Sequence, residues 1–173
     1  MQTPARKKIL MIVASNGYRD EELDVPRKFF RSKGIDVAVA SSSTIEARGM
    51  LGGSVKPSIA LRDVRVNNYD AIIFVGGTGS SEYWNDPTAH KIVKDTLAQG
   101  KVIAAICIAP VTLALSGILK GKKATVFPSE IETIKSKGAV YSGQDVEMDS
   151  NIITADGPKS AKKFAETIVT KLQ

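Results

Sequence analysis

The sequence predicts an α/β fold, a flavodoxin-like three-layer α/β/α sandwich built on a mostly parallel sheet. Three observations carry this expectation. Short apolar runs rich in Ile, Val and Ala recur at 8–14, 35–40, 70–75 and 101–106, and each suits a strand buried on both faces of a parallel sheet. Stretches of helical period lie between or after them, at 20–32, at 86–98 and from 157 onward, so strands and helices alternate. At 101–119 an apolar strand runs into a helix with no turn residues between them, which puts Cys107 in the bend itself.

The first strand, 8–14, ends at Ser15-Asn-Gly17, and a helix over 20–32 follows, closing at Lys33-Gly34. At about 100° per residue, Pro26, Phe29 and Phe30 share one face of it, flanked by Leu23 and Val25. Glu22 falls near the middle of that apolar face, whereas Asp20 and Asp24 point the opposite way and Glu21 lies to the side. Burying a carboxyl group there without a cation raises its pKa and favours the protonated form. A second reading fits the same position: Glu22 caps or solvates the first turn. The next strand, 35–40, leads into the Ser41-Ser-Ser-Thr44 turn. In the irregular stretch 45–66, Gly49, Gly52 and Gly53 separate short apolar pieces and suggest a small hairpin or flap. Strand 70–75 runs into Gly76-Gly-Thr-Gly79, after which Asp86 is placed to cap a helix that has Pro87 at its first position and ends at Ala98.

The strand at 101–106 and the helix at 108–116 flank Cys107; Pro110 is tolerated in the first helical turn and Gly117 stops it. Ala105 and Ala109, two positions to either side, are small enough for the two elements to cross closely. That is the shape of a nucleophile elbow, with cysteine where hydrolases place serine. A thiol at a helix N-terminus meets unpaired N–H groups and the positive end of the dipole, which predicts a lowered pKa and a reactive thiolate. A lone cysteine among Ala and Ile also serves as an inert core residue, and the strand–bend–helix context is what favours chemistry. Further on, the pattern gives a strand at 124–127, a helix at 128–137, strand pieces at 139–142 and 146–148, and a strand at 151–155. The last helix starts near Gly157-Pro158, and Ala161, Phe164, Ile168 and Leu172 repeat at helical spacing as core positions. With no repeat, low-complexity tract or linker, residues 1–173 are expected to form one domain.

Composition narrows the function. Hydrophobic content of 43% and charged content of 24% are ordinary for a soluble globular chain. One cysteine excludes an intramolecular disulfide, and one histidine makes a zinc site a poor fit, so no metal or cofactor is expected. Arg6-Lys-Lys8 leads straight into a strand without a signal-peptide pattern, so cytoplasmic residence is the expectation. The uncharged stretch 102–119 contains Pro, Ser, Thr, Gly and Cys and begins as a strand, so no membrane span is expected. The net charge of +6 is scattered along the chain without interleaved aromatics, which gives no specific nucleic-acid signal. Gly76-Gly-Thr-Gly79 lies where α/β sheets bind ligands, and three readings stay open for it. It lacks a full phosphate-loop fingerprint, it is compatible with a plain tight turn, and the Gly77 N–H could face a carbonyl together with the N–H of Ile108.

With these residues in place, the chain resembles the ThiJ/PfpI superfamily, of the class I glutamine amidotransferase-like domain type. The matching stretches are Asp20-Glu-Glu-Leu-Asp-Val-Pro26, Phe74-Val-Gly-Gly77, Ala104-Ala-Ile-Cys-Ile-Ala-Pro110 and Thr154-Ala-Asp-Gly-Pro158. The resemblance implies that Glu22, four residues before Pro26, hydrogen-bonds Cys107. It also implies that Gly77 and Ile108 supply backbone donors, that Gly76 and Pro158 border the substrate, and that the chain forms a homodimer or larger homo-oligomer. It implies activity on small α-oxoaldehydes or early glycation adducts, of glyoxalase III or deglycase type. The alternative it implies is a redox-sensing stress protein or holdase chaperone using an oxidisable Cys107. PfpI-type peptidases follow the cysteine with histidine, where this chain has Ile108, and deglycase-type members place a histidine where this chain has Phe127 before Pro128. The only histidine, His90, falls in the helix after Asp86, expected at the surface, so peptidase chemistry has no Cys–His pair to use.

Overall fold

The computed structural model describes residues 2–173. From the N-terminus run β1 (Lys8–Ile12), β2 (Asn16–Tyr18), α1 (Asp20–Ser32), β3 (Asp36–Ser41), β4 (Ala47–Gly49), β5 (Ser54–Val55) and β6 (Ile59–Ala60). After two single-turn 3-10 segments come β7 (Ala71–Phe74), α2 (Pro87–Ala98), β8 (Val102–Ile106) and α3 (Pro110–Ser116). The last third holds β9 (Lys123–Ala124), α4 (Ile131–Ser136), β10 (Val140–Tyr141), β11 (Val146–Asp149), β12 (Ile152–Ala155) and α5 (Ala161–Leu172).

Seven strands form the main sheet in the order β11-β12-β8-β7-β1-β3-β6, parallel throughout except for the β11–β12 pair. β7 and β8, and β1 after its first residue Lys8, are apolar and buried at every position because both of their faces are covered. On one face Leu23 and Phe30 of α1 and Phe164 and Ile168 of α5 pack with Ile9, Met11 and Ile73. On the other, Ile92 and Val93 of α2 and Val111 and Leu113 of α3 pack with Leu10, Ile72 and Ile103. The expected three-layer α/β architecture is therefore the observed one. Because β3 lies on one side of β1 and β7 on the other, the carboxyl ends of β1 and β7 flank the place where the strand order reverses. Crevices of this kind are where open α/β sheets hold ligands.

Four local expectations change. The stretch 45–66 splits: β4 and β5 make the hairpin and join β2 in a small separate sheet, while β6 pairs with β3 at the edge of the main sheet. The strand expected at 124–127 shortens to β9 because the Thr125 N–H donates to Thr154 Oγ1 at 2.9 Å and so leaves the ladder. The helix expected at 128–137 begins as a 3-10 turn, Pro128–Glu130, before α4. Asp20 is the clearest correction. It does not point to solvent: it is 8% exposed, and its Oδ2 accepts the Leu51 N–H at 2.5 Å. A helix wheel orients side chains against the sheet only, and it cannot register a hairpin turn folding over the first turn of the helix.

Two expectations on stability follow from these contacts. Asp86 Oδ1 accepts the Thr88 N–H at 2.8 Å and caps α2, so Asp86→Ala should cost about 1 kcal/mol. Phe164 is completely buried between α5 and the sheet, so Phe164→Ala should cost about 3–5 kcal/mol. Urea denaturation of both variants checks the ranking, and a Phe164→Ala loss no larger than that of Asp86→Ala contradicts the packing described.

Candidate active site

Cys107 stands between β8 and α3 with φ of 66°, one of two non-glycine residues among those described with positive φ. A side chain adopts this left-handed conformation only where its surroundings enforce it. Two hydrogen bonds do so here: the Cys107 N–H donates to Ala155 O at 2.9 Å, and the Phe127 N–H donates to Cys107 O at 2.8 Å. The bend is thereby tied to the ends of the two neighbouring segments. Its thiol is 8% exposed.

Glu22 reaches the same place from α1 and is fully buried. The spacer between the two is Gly76 at the end of β7. A Cβ there would lie 2.4 Å from Glu22 Oε1, 2.5 Å from Cys107 Cβ and 2.6 Å from Ile106 O. Gly76 is needed because carboxyl, thiol and strand end converge on the space a methyl group would take. It is not among the residues that line the cavity beside the thiol, because glutamate and cysteine lie on the side a Cβ would occupy. Gly77 follows with φ of 104°, and a Cβ on it would lie 2.4 Å from Arg19 N. The backbone N–H groups of Gly77 and Ile108 both favour negative charge on Cys107.

The electrostatics overturn one expectation. Burial pushes the Cys107 thiol up to about 12, with the Glu22 charge the next cause, and the Gly77 and Ile108 N–H groups recover only part of this. The lowered thiol pKa expected from a helix N-terminus is therefore not what this environment gives. α3 has seven residues, and the desolvation of a sulfur among Ala and Ile outweighs its dipole. Burial likewise raises Glu22 to about 8, against weaker opposing effects from the Cys107 thiol, Arg19 and the Gly76 N–H. Neither carboxyl oxygen has a partner of good hydrogen-bond geometry among the described residues. A buried, unpartnered carboxyl group holds its proton to high pH. The two groups titrate as a pair, and the first proton leaves it near pH 8.

The thiol opens into a cavity of about 260 Å³ bordered by Ile108, Phe127, Met50 and Pro158, with Arg19 and Glu130 among its polar lining. Pro158 and Phe127 also wall a neighbouring cavity of about 440 Å³. No sequence pattern marks Arg19, Met50 or Glu130, which reach the cavity from three separate segments. The larger hollow of about 520 Å³, between 61–68 and α2, holds none of these groups. His90 is half-buried on α2, where its Nε2 lies 2.7 Å from Trp84 O, and it borders none of the cavities described. Among the described residues no helix is long and apolar enough to cross a membrane, and no cluster of three His, Cys, Asp or Glu is placed to hold a metal.

Raising the Glu22 pKa from 4.5 to about 8 means that the folded state binds this proton more tightly than the unfolded chain. The associated stability is complete below pH 4.5 and is lost as pH rises through about 8. The Cys107 shift, from 9.0 to about 12, has the same sign in a higher window. Glu22→Gln should therefore gain on the natural chain by at least ~2 kcal/mol between pH 5 and pH 8.5 in urea unfolding. A difference that stays constant with pH contradicts a protonated, buried Glu22.

Comparison with known proteins agrees with this architecture. The model of the DJ-1/PfpI family matches residues 7–171. An uncharacterized protein of Methanocaldococcus jannaschii is 43% identical over 169 residues, covering 96% of this chain and 82% of that one. A glutathione-independent glyoxalase of Caenorhabditis elegans is 29% identical over 98% of this chain and 90% of its own length. The crystal structure of a ThiJ/PfpI domain protein from Brachyspira murdochii superimposes with a TM-score of 0.94 at 30% identity, covering 97% of this chain and 98% of that one. From the family match across nearly the whole sequence and the shared fold, the chain belongs to the DJ-1/PfpI family.

Proposed function

We propose that this protein is a single-domain, cysteine-dependent enzyme acting on α-oxoaldehydes or early glycation adducts. The observation that supports it best is the strained Cys107, which opens to a small, largely apolar cavity and has an unpartnered carboxyl group sealed behind it. Glu22, once ionised, takes the thiol proton, and the sulfur attacks the aldehyde carbon. A C–S bond forms, the carbonyl pair moves to oxygen, and the Gly77 and Ile108 N–H groups face the resulting oxyanion. Glu22 returns the thiol proton to that oxyanion and, ionised again, carries the aldehyde-carbon proton to the adjacent carbon, leaving a thioester that water cleaves. Methylglyoxal plus water gives lactate, and the thiol is regenerated. The C. elegans relative's name as a glyoxalase supports this reaction class.

In this scheme the base is Glu22, not a dipole-activated thiolate. Methylglyoxal consumption should disappear in Cys107→Ala and fall at least about 100-fold in Glu22→Gln. In the natural chain, alkylation of Cys107 by iodoacetamide should accelerate with a midpoint near pH 8, and Glu22→Gln should lack that step. Equal consumption by Cys107→Ala and the natural chain overturns the enzyme reading.

One observation favours a second reading, a redox-sensing stress protein or holdase. Cys107 is the only thiol, and the same two N–H groups that face an oxyanion would face sulfinate oxygens. Mild peroxide should then add oxygen to Cys107 before any methionine, as read by intact mass and peptide mapping; oxidation confined to methionine sinks this reading. On either reading we place the protein in the cytoplasm as a homodimer, with Ile45 and Leu51, 78% and 58% exposed, available to a second copy.

A further inference from the structure

Resting on the aldehyde reading above for its substrate, we propose that Arg19 makes the Cys107 cavity selective for anionic electrophiles. The substrate class is then an aldehyde carrying a carboxylate close to its carbonyl. Arg19 directly precedes α1, and its backbone is locked: its N–H donates to Gly76 O at 2.9 Å, against a glycine at 77 that leaves no room for a side chain. Its guanidinium is oriented by Glu21, which accepts from Nε at 2.5 Å and from Nη2 at 3.2 Å. That bidentate grip uses two of the five guanidinium hydrogens. Among the described residues Nη1 has no hydrogen-bond partner, and Arg19 borders the cavity that also holds Cys107.

The rest of the wall offers an anion no second cation. Ile108, Phe127, Met50 and Pro158 are apolar, Thr78 and Ser129 bring only neutral hydroxyls, and the other charged residue, Glu130, has its two oxygens engaged by the hydroxyls of Thr133 and Ser129 at 3.1 and 3.0 Å. Glu21 is the main cause that strengthens the hold of Arg19 on its proton, and negative charge on Glu22 and Cys107 adds to it, which places the guanidinium in the same electrostatic neighbourhood as the sulfur. A fixed fork of donors beside an apolar pocket is the arrangement that recognises a planar carboxylate. Glu21 tempers the net charge at a distance, but it leaves the unused N–H groups to act at contact range.

Iodoacetate and iodoacetamide test this without turnover, because they are nearly the same size and differ in charge, and Cys107 is the only thiol to alkylate. The readout is the ratio of their alkylation rates at Cys107, followed by mass spectrometry on the full chain. Arg19→Gln should lower the iodoacetate-to-iodoacetamide ratio about tenfold. Arg19→Lys should lower it by less, and Glu21→Gln, which frees the guanidinium, should raise it. An unchanged ratio in Arg19→Gln overturns the proposal, as does a change of both rates by one common factor, which reports on the thiol or the fold rather than on an anion. If Arg19→Gln does not fold, Glu21→Gln decides: a ratio at or below that of the natural chain overturns it. A methylglyoxal assay run alongside separates the two claims. Turnover that needs Cys107 together with an unmoved ratio rejects charge selection alone, whereas no turnover with an Arg19-dependent ratio rejects the aldehyde reading alone.

Discussion

The arrangement depends on one close approach. At the carboxyl end of β7 the chain must pass between a carboxyl group from α1 and the cysteine that follows β8, and only a residue without a side chain fits between them. Gly76 therefore sets the separation of Glu22 and Cys107 more directly than either of those residues does. The parallel register of β1, β7 and β8 brings the three strand ends to the same edge of the sheet, and the backbone bonds at Ala155 and Phe127 hold the bend in its left-handed conformation. The strain at Cys107 is sustained by a well-packed sheet in which β7, β8 and all of β1 but Lys8 are buried.

From that geometry comes an electrostatic result with consequences for the chemistry. Two ionisable groups are enclosed in a low-dielectric space, where burial raises both, the Glu22 charge makes ionisation of the thiol harder still, and the thiol in turn slightly favours the Glu22 carboxylate. Within such a pair a base and a weak acid are available at the same point, because one proton leaves near pH 8 and the second is retained well above it. The thiol is activated when its proton can move to the carboxylate, so its nucleophilic form is generated at the moment of attack and need not be stored. This also accounts for a buried carboxyl group that no hydrogen bond among the described residues satisfies. Its isolation costs stability, and structures retain such costs at sites that use them.

The first turn of α1 is unusually committed. Arg19, Asp20, Glu21 and Glu22 are consecutive, yet each serves a different surface. Arg19 faces the cavity, Asp20 holds the Leu51 N–H of the hairpin turn, Glu21 grips Arg19, and Glu22 backs the thiol. The hairpin turn pinned by Asp20 presents Met50 as one wall of the cavity, so the flap and the thiol are linked through a single helical turn. Three acidic residues at the start of a helix also complement its dipole, so local and tertiary demands coincide there.

The local physics of the chain was enough to read the layer architecture, the limits of α1 and α2, the Asp86 cap and the placement of Cys107 in a bend. Each of these is written in short-range patterns: apolar runs of strand length, a 3.6-residue period, Pro and Gly at helix ends. The burial of Glu22 was legible for the same reason, since the helix face that carries it is defined by its own neighbours. The burial of Asp20, the splitting of 45–66, the shortening of the strand at 124 and the convergence of Arg19, Met50 and Glu130 on one cavity were decided by the tertiary structure alone. They arise where segments distant in sequence touch, and no periodicity records such a contact. The thiol's pKa belongs with them: proximity to a helix start is visible in the sequence, but the competing desolvation and the facing carboxylate exist only once the sheet has brought α1 and β8 together.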